Sequence, residues 1–127
     1  MKMTTQLINV EQQLKVNGCC ERVLLIEDND VNRMLLSDCL KFCGYQVKSL
    51  ANGSKFFSAV KTFQPNLIVL DLKLPDIDGF LLLEKMQQNC RTVKIPVIVV
   101  SGLAFISDWE RAIGLGSRRY FVKPLIL

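Results

Sequence analysis

The chain has 127 residues, of which 50% are apolar and 22% charged, and carries a net charge of +4. That is one domain's length with one core, and it is too apolar for a disordered chain. Because it contains no histidine, it holds no Ser-His-Asp triad, no His-ligated zinc and no phosphohistidine of its own.

Residues 1–20 are polar with scattered apolar positions. Leu7, Val10 and Leu14 fit one helical stripe, so an N-terminal extension or short helix is expected ahead of a domain over 21–127. Val23-Leu24-Leu25-Ile26 is a continuous apolar run, as for a strand buried on both faces. It ends at Glu27-Asp28-Asn29-Asp30, which supplies a helix cap. Helical spacing comes next at Leu36, Cys39, Leu40 and Cys43, and Gly44 is a natural stop. Residues 45–49 read as a weaker strand. Phe56, Phe57, Val60 and Phe63 mark a helix near 54–63. Leu67-Ile68-Val69-Leu70 is the next buried strand, ended by Asp71. The stretch Leu74 to Gly79 is turn chemistry, with Asp78-Gly79 capping a helix over 79–89. Val97 to Val100 form a strand that ends at Ser101-Gly102. A helix near 106–115 and the strand Tyr120-Phe121-Val122 complete the pattern, which runs into Lys123-Pro124. Alternating strands and helices with continuous apolar strands require a parallel sheet covered on both faces.

The five cysteines are Cys19, Cys20, Cys39, Cys43 and Cys90. An odd number without C-x-x-C spacing fits free thiols in a reducing, cytoplasmic setting, and Cys39 and Cys43 are expected as small buried hydrophobes. No apolar run approaches the ~18 residues that span a bilayer, and the N-terminus lacks a secretory core. Residues 1–90 hold ten basic and ten acidic residues. The excess therefore lies in Arg91, Lys94, Arg111, Arg118, Arg119 and Lys123, set against Asp108 and Glu110. No basic run with interleaved aromatics accompanies it, so a solvated face is expected rather than a nucleic-acid site.

In such a sheet, ligands sit beyond the carboxyl ends of the strands. Those ends carry Glu27 and Asp28, Asp71, Ser101 and Lys123. Three close carboxylates repel unless a cation intervenes, and a hard divalent ion such as Mg2+ suits an oxygen donor set. A carboxylate can also act as a nucleophile and form an aspartyl phosphate. Read one at a time, these residues are caps, turn residues and surface charge; it is their joint placement that marks a site.

From Arg22 to Pro124 the chain resembles the receiver domains of two-component response regulators. The resemblance rests on Glu27-Asp28, on Asp71 through Pro75 to Asp78-Gly79, on Ser101-Gly102 and on Tyr120 to Lys123-Pro124. The stretch Glu27-Asp28-Asn29-x-x-Asn32-Arg33 is most similar to receivers attached to hybrid histidine kinases. The resemblance implies a flavodoxin-like, doubly wound α/β fold whose five parallel strands are ordered 2-1-3-4-5. It implies that Asp71 accepts a phosphoryl group from a sensor histidine kinase or phosphotransfer protein, and that the domain assists its own phosphorylation and dephosphorylation. It implies Mg2+ bound by Asp28, by Asp71 and by the backbone carbonyl of Lys73, with Glu27 acting through water. Lys123 would pair with the phosphate, and Ser101 and Tyr120 would form a switch. The Lys123-Pro124 bond would be cis. The output would pass to a downstream effector protein or a domain of a parent chain.

Two features depart from the family pattern. Lys73, two residues after the acceptor, is expected to overhang the site and slow hydrolysis of the acyl phosphate. Only three residues come after Pro124, where the family has a fifth helix. A domain truncated after its fifth strand is expected to expose apolar surface there. A longer parent chain, residues 1–20 folding over the gap, or a homodimer through that face would each cover it. The competing functions are a receiver-like interaction module that is never phosphorylated, and a flavodoxin-like cofactor protein or magnesium phosphohydrolase. The acidic loop after the first strand argues against a flavin phosphate, and no acid-base group for a hydrolase is evident.

Overall fold

The computed structural model describes residues 22–124. The expectations for residues 1–20, for Cys19 and Cys20 and for residues 125–127, including a homodimer face built there, lie outside the described residues. Five strands and four helices alternate among those described: β1 Arg22–Ile26, α1 Asp30–Phe42, β2 Gln46–Leu50, α2 Phe56–Phe63, β3 Leu67–Leu70, α3 Gly79–Gln87, β4 Val97–Ser101, α4 Ile106–Gly114 and β5 Arg119–Val122. All neighbouring strands are parallel, in the order β2-β1-β3-β4-β5. Among the described residues no helix is long and apolar enough to cross a membrane.

The three central strands are the three continuous apolar runs, and helices on both faces leave nearly every residue in them buried. Alternate residues face opposite ways. Leu24, Ile26, Ile68, Leu70, Val97 and Val99 pack with Phe56 and Val60 of α2 and Phe80, Leu83 and Met86 of α3. Val23, Leu25, Leu67, Val69, Ile98 and Val100 pack on the other face with Leu36 and Leu40 of α1. The edge strands β2 and β5 are mixed in burial, which fits their polar residues.

The helix ends obey local chemistry. Asn29 caps α1 by accepting the Asn32 N–H at 2.9 Å, and Asp78 caps α3 by accepting that of Phe80 at 2.9 Å. Gly44 lies just beyond α1 at φ +98°, a left-handed conformation that favours glycine. Gly116 lies just beyond α4 at φ +100° and ends it in the same way.

Phe57 is 36% exposed, because adjacent helical positions diverge by about 100° and Phe56 takes the core-facing one. One expectation needs correction. Cys39 and Cys43 are half-buried rather than core residues, since Leu36 and Leu40 occupy the deepest line of α1. Val122, at the end of the edge strand β5, is 41% exposed, and Phe121 packs half-buried against the cluster that contains Val69, Ile98 and Val100.

Candidate functional site

The sheet's hydrogen-bond ladder continues past the strand ends, and this places the functional side chains. The Glu27 N–H donates to the Leu50 carbonyl at 3.0 Å, that of Asp71 to Ile26 at 2.9 Å, and that of Lys123 to Ser101 at 2.8 Å. Each residue directly after an apolar run is thereby fixed at the same rim. The expected convergence of Glu27, Asp28, Asp71 and Lys123 is present.

One carboxylate oxygen from each of Glu27, Asp28 and Asp71 lies within 4.8 Å of the others. Glu27 and Asp71 are buried and Asp28 is exposed, so the cluster opens to solvent on one side. Lys123 bridges the two buried members, with Nζ 2.7 Å from Glu27 Oε1 and 3.0 Å from Asp71 Oδ2. The Asp71 contact is a hydrogen bond. The Glu27 contact is an ion pair without a well-angled hydrogen bond, so buried Oε1 keeps unused acceptor capacity. The other oxygens are engaged: Glu27 Oε2 accepts the Asn29 N–H at 3.1 Å, and Asp71 Oδ1 accepts the Lys73 N–H at 3.1 Å. The Lys73 side chain is exposed.

The electrostatics stem from burial. Desolvation pushes the Glu27 carboxyl up to about 7. Lys123 and the Asn29 N–H oppose that rise, and Asp71 adds to it. For Lys123, burial disfavours the charged form, but the Glu27 and Asp71 carboxylates outweigh it and raise its pKa. A single ammonium thus faces three carboxylates and leaves the cluster short of positive charge. A hard dication matches that deficit and the all-oxygen donor set, so the residues fit Mg2+.

Ser101 is fully buried at the end of β4 and accepts the Leu103 N–H on Oγ at 3.2 Å. Tyr120 donates from Oη to the Leu103 carbonyl at 2.7 Å, with its ring against the core. Burial raises the Tyr120 pKa, and the neighbouring Ser101 hydroxyl partly offsets this. Both residues therefore hold the loop at Leu103. The Lys123-Pro124 bond is cis, as the resemblance implies.

Gly79 secures the acceptor strand from below. Its N–H donates to the Leu72 carbonyl at 2.9 Å, and an added Cβ would lie 2.7 Å from that oxygen and closer still to Leu72 Cα. Backbone cannot step aside as a flexible side chain can. Gly79→Ala is expected to cost about 2–3 kcal/mol by overpacking and to disturb Asp71 next door. Urea unfolding checks the first effect, and a loss within ±0.5 kcal/mol, as at an ordinary surface site, would contradict it.

Residues 23–126 match the family model of the response regulator receiver domain. The chain belongs to this family. Over 103 residues it is 35% identical to the DNA-binding dual master transcriptional regulator RpaA of Synechocystis sp., covering 81% of this chain and 43% of that protein. The chain thus spans less than half the length of RpaA. It is 30% identical to the polar-differentiation response regulator DivK of Brucella anthropi, covering 81% of this chain and 84% of DivK. The Mn(2+)-bound form of response regulator Rcp1 superposes with a TM-score of 0.76 at 28% identity, covering 84% of each chain. This receiver therefore has the flavodoxin-like fold of two-component signalling domains.

Reasoning from strand ends missed two residues at this rim. Asn29 was legible as a helix cap but not as the donor to Glu27. Arg33 bonds to the backbone of the acidic loop, a contact with no signature in sequence spacing.

Proposed function

We propose that this receiver is a phosphorylation-controlled switch in which Asp71 accepts one phosphoryl group from a partner's phosphohistidine. The observation that carries the reading is the Asp71 carboxylate, 3% exposed at the end of a buried strand, bonded to Lys123 and facing Glu27 and Asp28. A carboxylate oxygen of Asp71 attacks phosphorus in line. The new O–P bond forms as the donor's N–P bond breaks, and the histidine nitrogen keeps that electron pair. Asp28, Asp71 and the Lys73 carbonyl would hold Mg2+, with Glu27 acting through water, and the ion would neutralise the phosphoryl oxygens. Lys123 supplies a second, fixed positive charge.

The aspartyl phosphate carries about −2 charge at the rim, about one negative charge more than the carboxylate it replaces. Ser101 offers it a hydroxyl, which draws that hydroxyl away from Tyr120. Tyr120 holds the Leu103 carbonyl, so the change reaches the loop before α4. The donor is a sensor histidine kinase or a phosphotransfer protein. The output passes to an effector protein or to another domain of a parent chain, and the protein works in the cytoplasm.

Incubation of the full chain with acetyl phosphate and Mg2+, read by intact mass, tests the reading. A gain of one phosphoryl group that disappears with a chelator is the expected result. No gain in a folded sample, or a gain that survives the chelator, would overturn it.

A further inference from the structure

We infer that Arg33 is the positioning residue for the acidic metal-binding loop: its guanidinium holds the backbone of Glu27 and Asp28 so that their carboxylates converge with Asp71. The inference rests on the metal reading above and adds a residue to it. Arg33 lies in the first turns of α1 with its side chain 22% exposed. Its Nη1 donates to the Glu27 carbonyl at 2.9 Å and approaches the Asp28 carbonyl at 3.4 Å. Its Nη2 donates to Asp30 Oδ1 at 2.6 Å. One planar fork thus joins three successive parts of the strand-to-helix turn. The contacts go to the carbonyls and leave the Glu27 and Asp28 carboxylates free to serve as ligands.

The turn needs such a hold. The Glu27 N–H is fixed by Leu50, and Asn29 is fixed by its cap to Asn32. Between these anchors, Asp28 is exposed and its carboxylate has no hydrogen bond among the described residues. Three carboxylates within 4.8 Å repel one another, and a loose turn would relieve that repulsion by swinging Asp28 into solvent. Holding the carbonyls from α1 prevents this. Arginine suits the task because its fork reaches two acceptors in one plane, whereas a lysine ammonium is a point donor on a flexible stem.

The sign of the effect separates positioning from charge. A cation beside a metal site repels the metal, so if Arg33 acted only through its charge, removing it would tighten Mg2+ binding. If Arg33 positions the loop, removing it weakens binding despite the lost repulsion. Outer residues that orient metal ligands typically contribute 10–100-fold in affinity.

Calorimetric titration of Mg2+ into the full-length protein, Arg33→Met and Arg33→Lys, with thermal unfolding of each in the metal-free state, decides the matter. The expected result is about tenfold weaker Mg2+ binding in Arg33→Met, with a clear loss also in Arg33→Lys, which keeps the charge but not the fork. Arg33→Lys carries the test should Arg33→Met fail to fold. Tighter binding in Arg33→Met, or unaltered affinity in Arg33→Lys, would overturn the positioning role. A fall in melting temperature with unchanged affinity would do the same, by showing that the contacts only stabilise α1. If the unaltered protein bound no Mg2+, the metal reading itself would fail and the inference with it.

Discussion

Asp71→Asn is expected to abolish phosphoryl uptake from acetyl phosphate while leaving the protein folded. The amide has nearly the shape of the carboxylate, so its oxygen can still accept the Lys73 N–H, and the backbone bond from Asp71 to Ile26 is untouched. What disappears is the nucleophile, because an amide oxygen lacks the anionic electron pair that attacks phosphorus. Lys123 loses one partner but keeps Glu27 at 2.7 Å, which limits the structural cost. Intact mass after incubation with acetyl phosphate and Mg2+ reads the first effect, and a thermal melt reads the second. A variant that still gained one phosphoryl group would place the acceptor elsewhere. A variant that failed to fold would show the Asp71 charge to be structural.

Phe56→Ala is expected to cost about 4 kcal/mol, the range for removing a fully buried phenylalanine. Phe56 is 0% exposed and lies where α2 meets the central strands, within the cluster that includes Leu24, Ile26, Ile68 and Leu70. Its ring also meets Phe57 edge-on at 4.9 Å between centroids. Neighbours pinned in a sheet cannot close the cavity left behind, so both the transfer cost and the void cost remain. Small domains are stable by about 5–15 kcal/mol, so this one substitution removes a large share. Urea unfolding should show a lower midpoint with unchanged slope. A cost below about 1.5 kcal/mol, the level of a volume-conserving swap, would mean that α2 repacks.

The contrast between Phe56 and Phe57 shows where sequence reading stops. Two adjacent phenylalanines match a helical stripe equally well, and only the sheet beneath α2 decides which one is buried. The central strands were legible because burial on both faces leaves a continuous apolar run, as in Val23 to Ile26 and Val97 to Val100. The edge strand Gln46–Leu50 was weaker, since polar and apolar residues mix where one side faces water. The site was legible for the same reason as the core. Asp71 comes directly after such a strand and Lys123 directly after the edge strand β5, and a polar residue at either place has to emerge at the carboxyl rim. Arg33 was not legible in that way, because backbone carbonyls five and six residues earlier leave no mark in side-chain spacing.

The central claim is that Asp71 itself carries the phosphoryl group, and borohydride trapping tests it most directly. Borohydride reduces an aspartyl phosphate to homoserine, which fixes the modified position for peptide mass analysis. After incubation of the full chain with acetyl phosphate and Mg2+, homoserine is expected at position 71 and at no other aspartate. Homoserine at Asp28 or another aspartate, or none in a folded sample that has gained a phosphoryl group, would contradict the account.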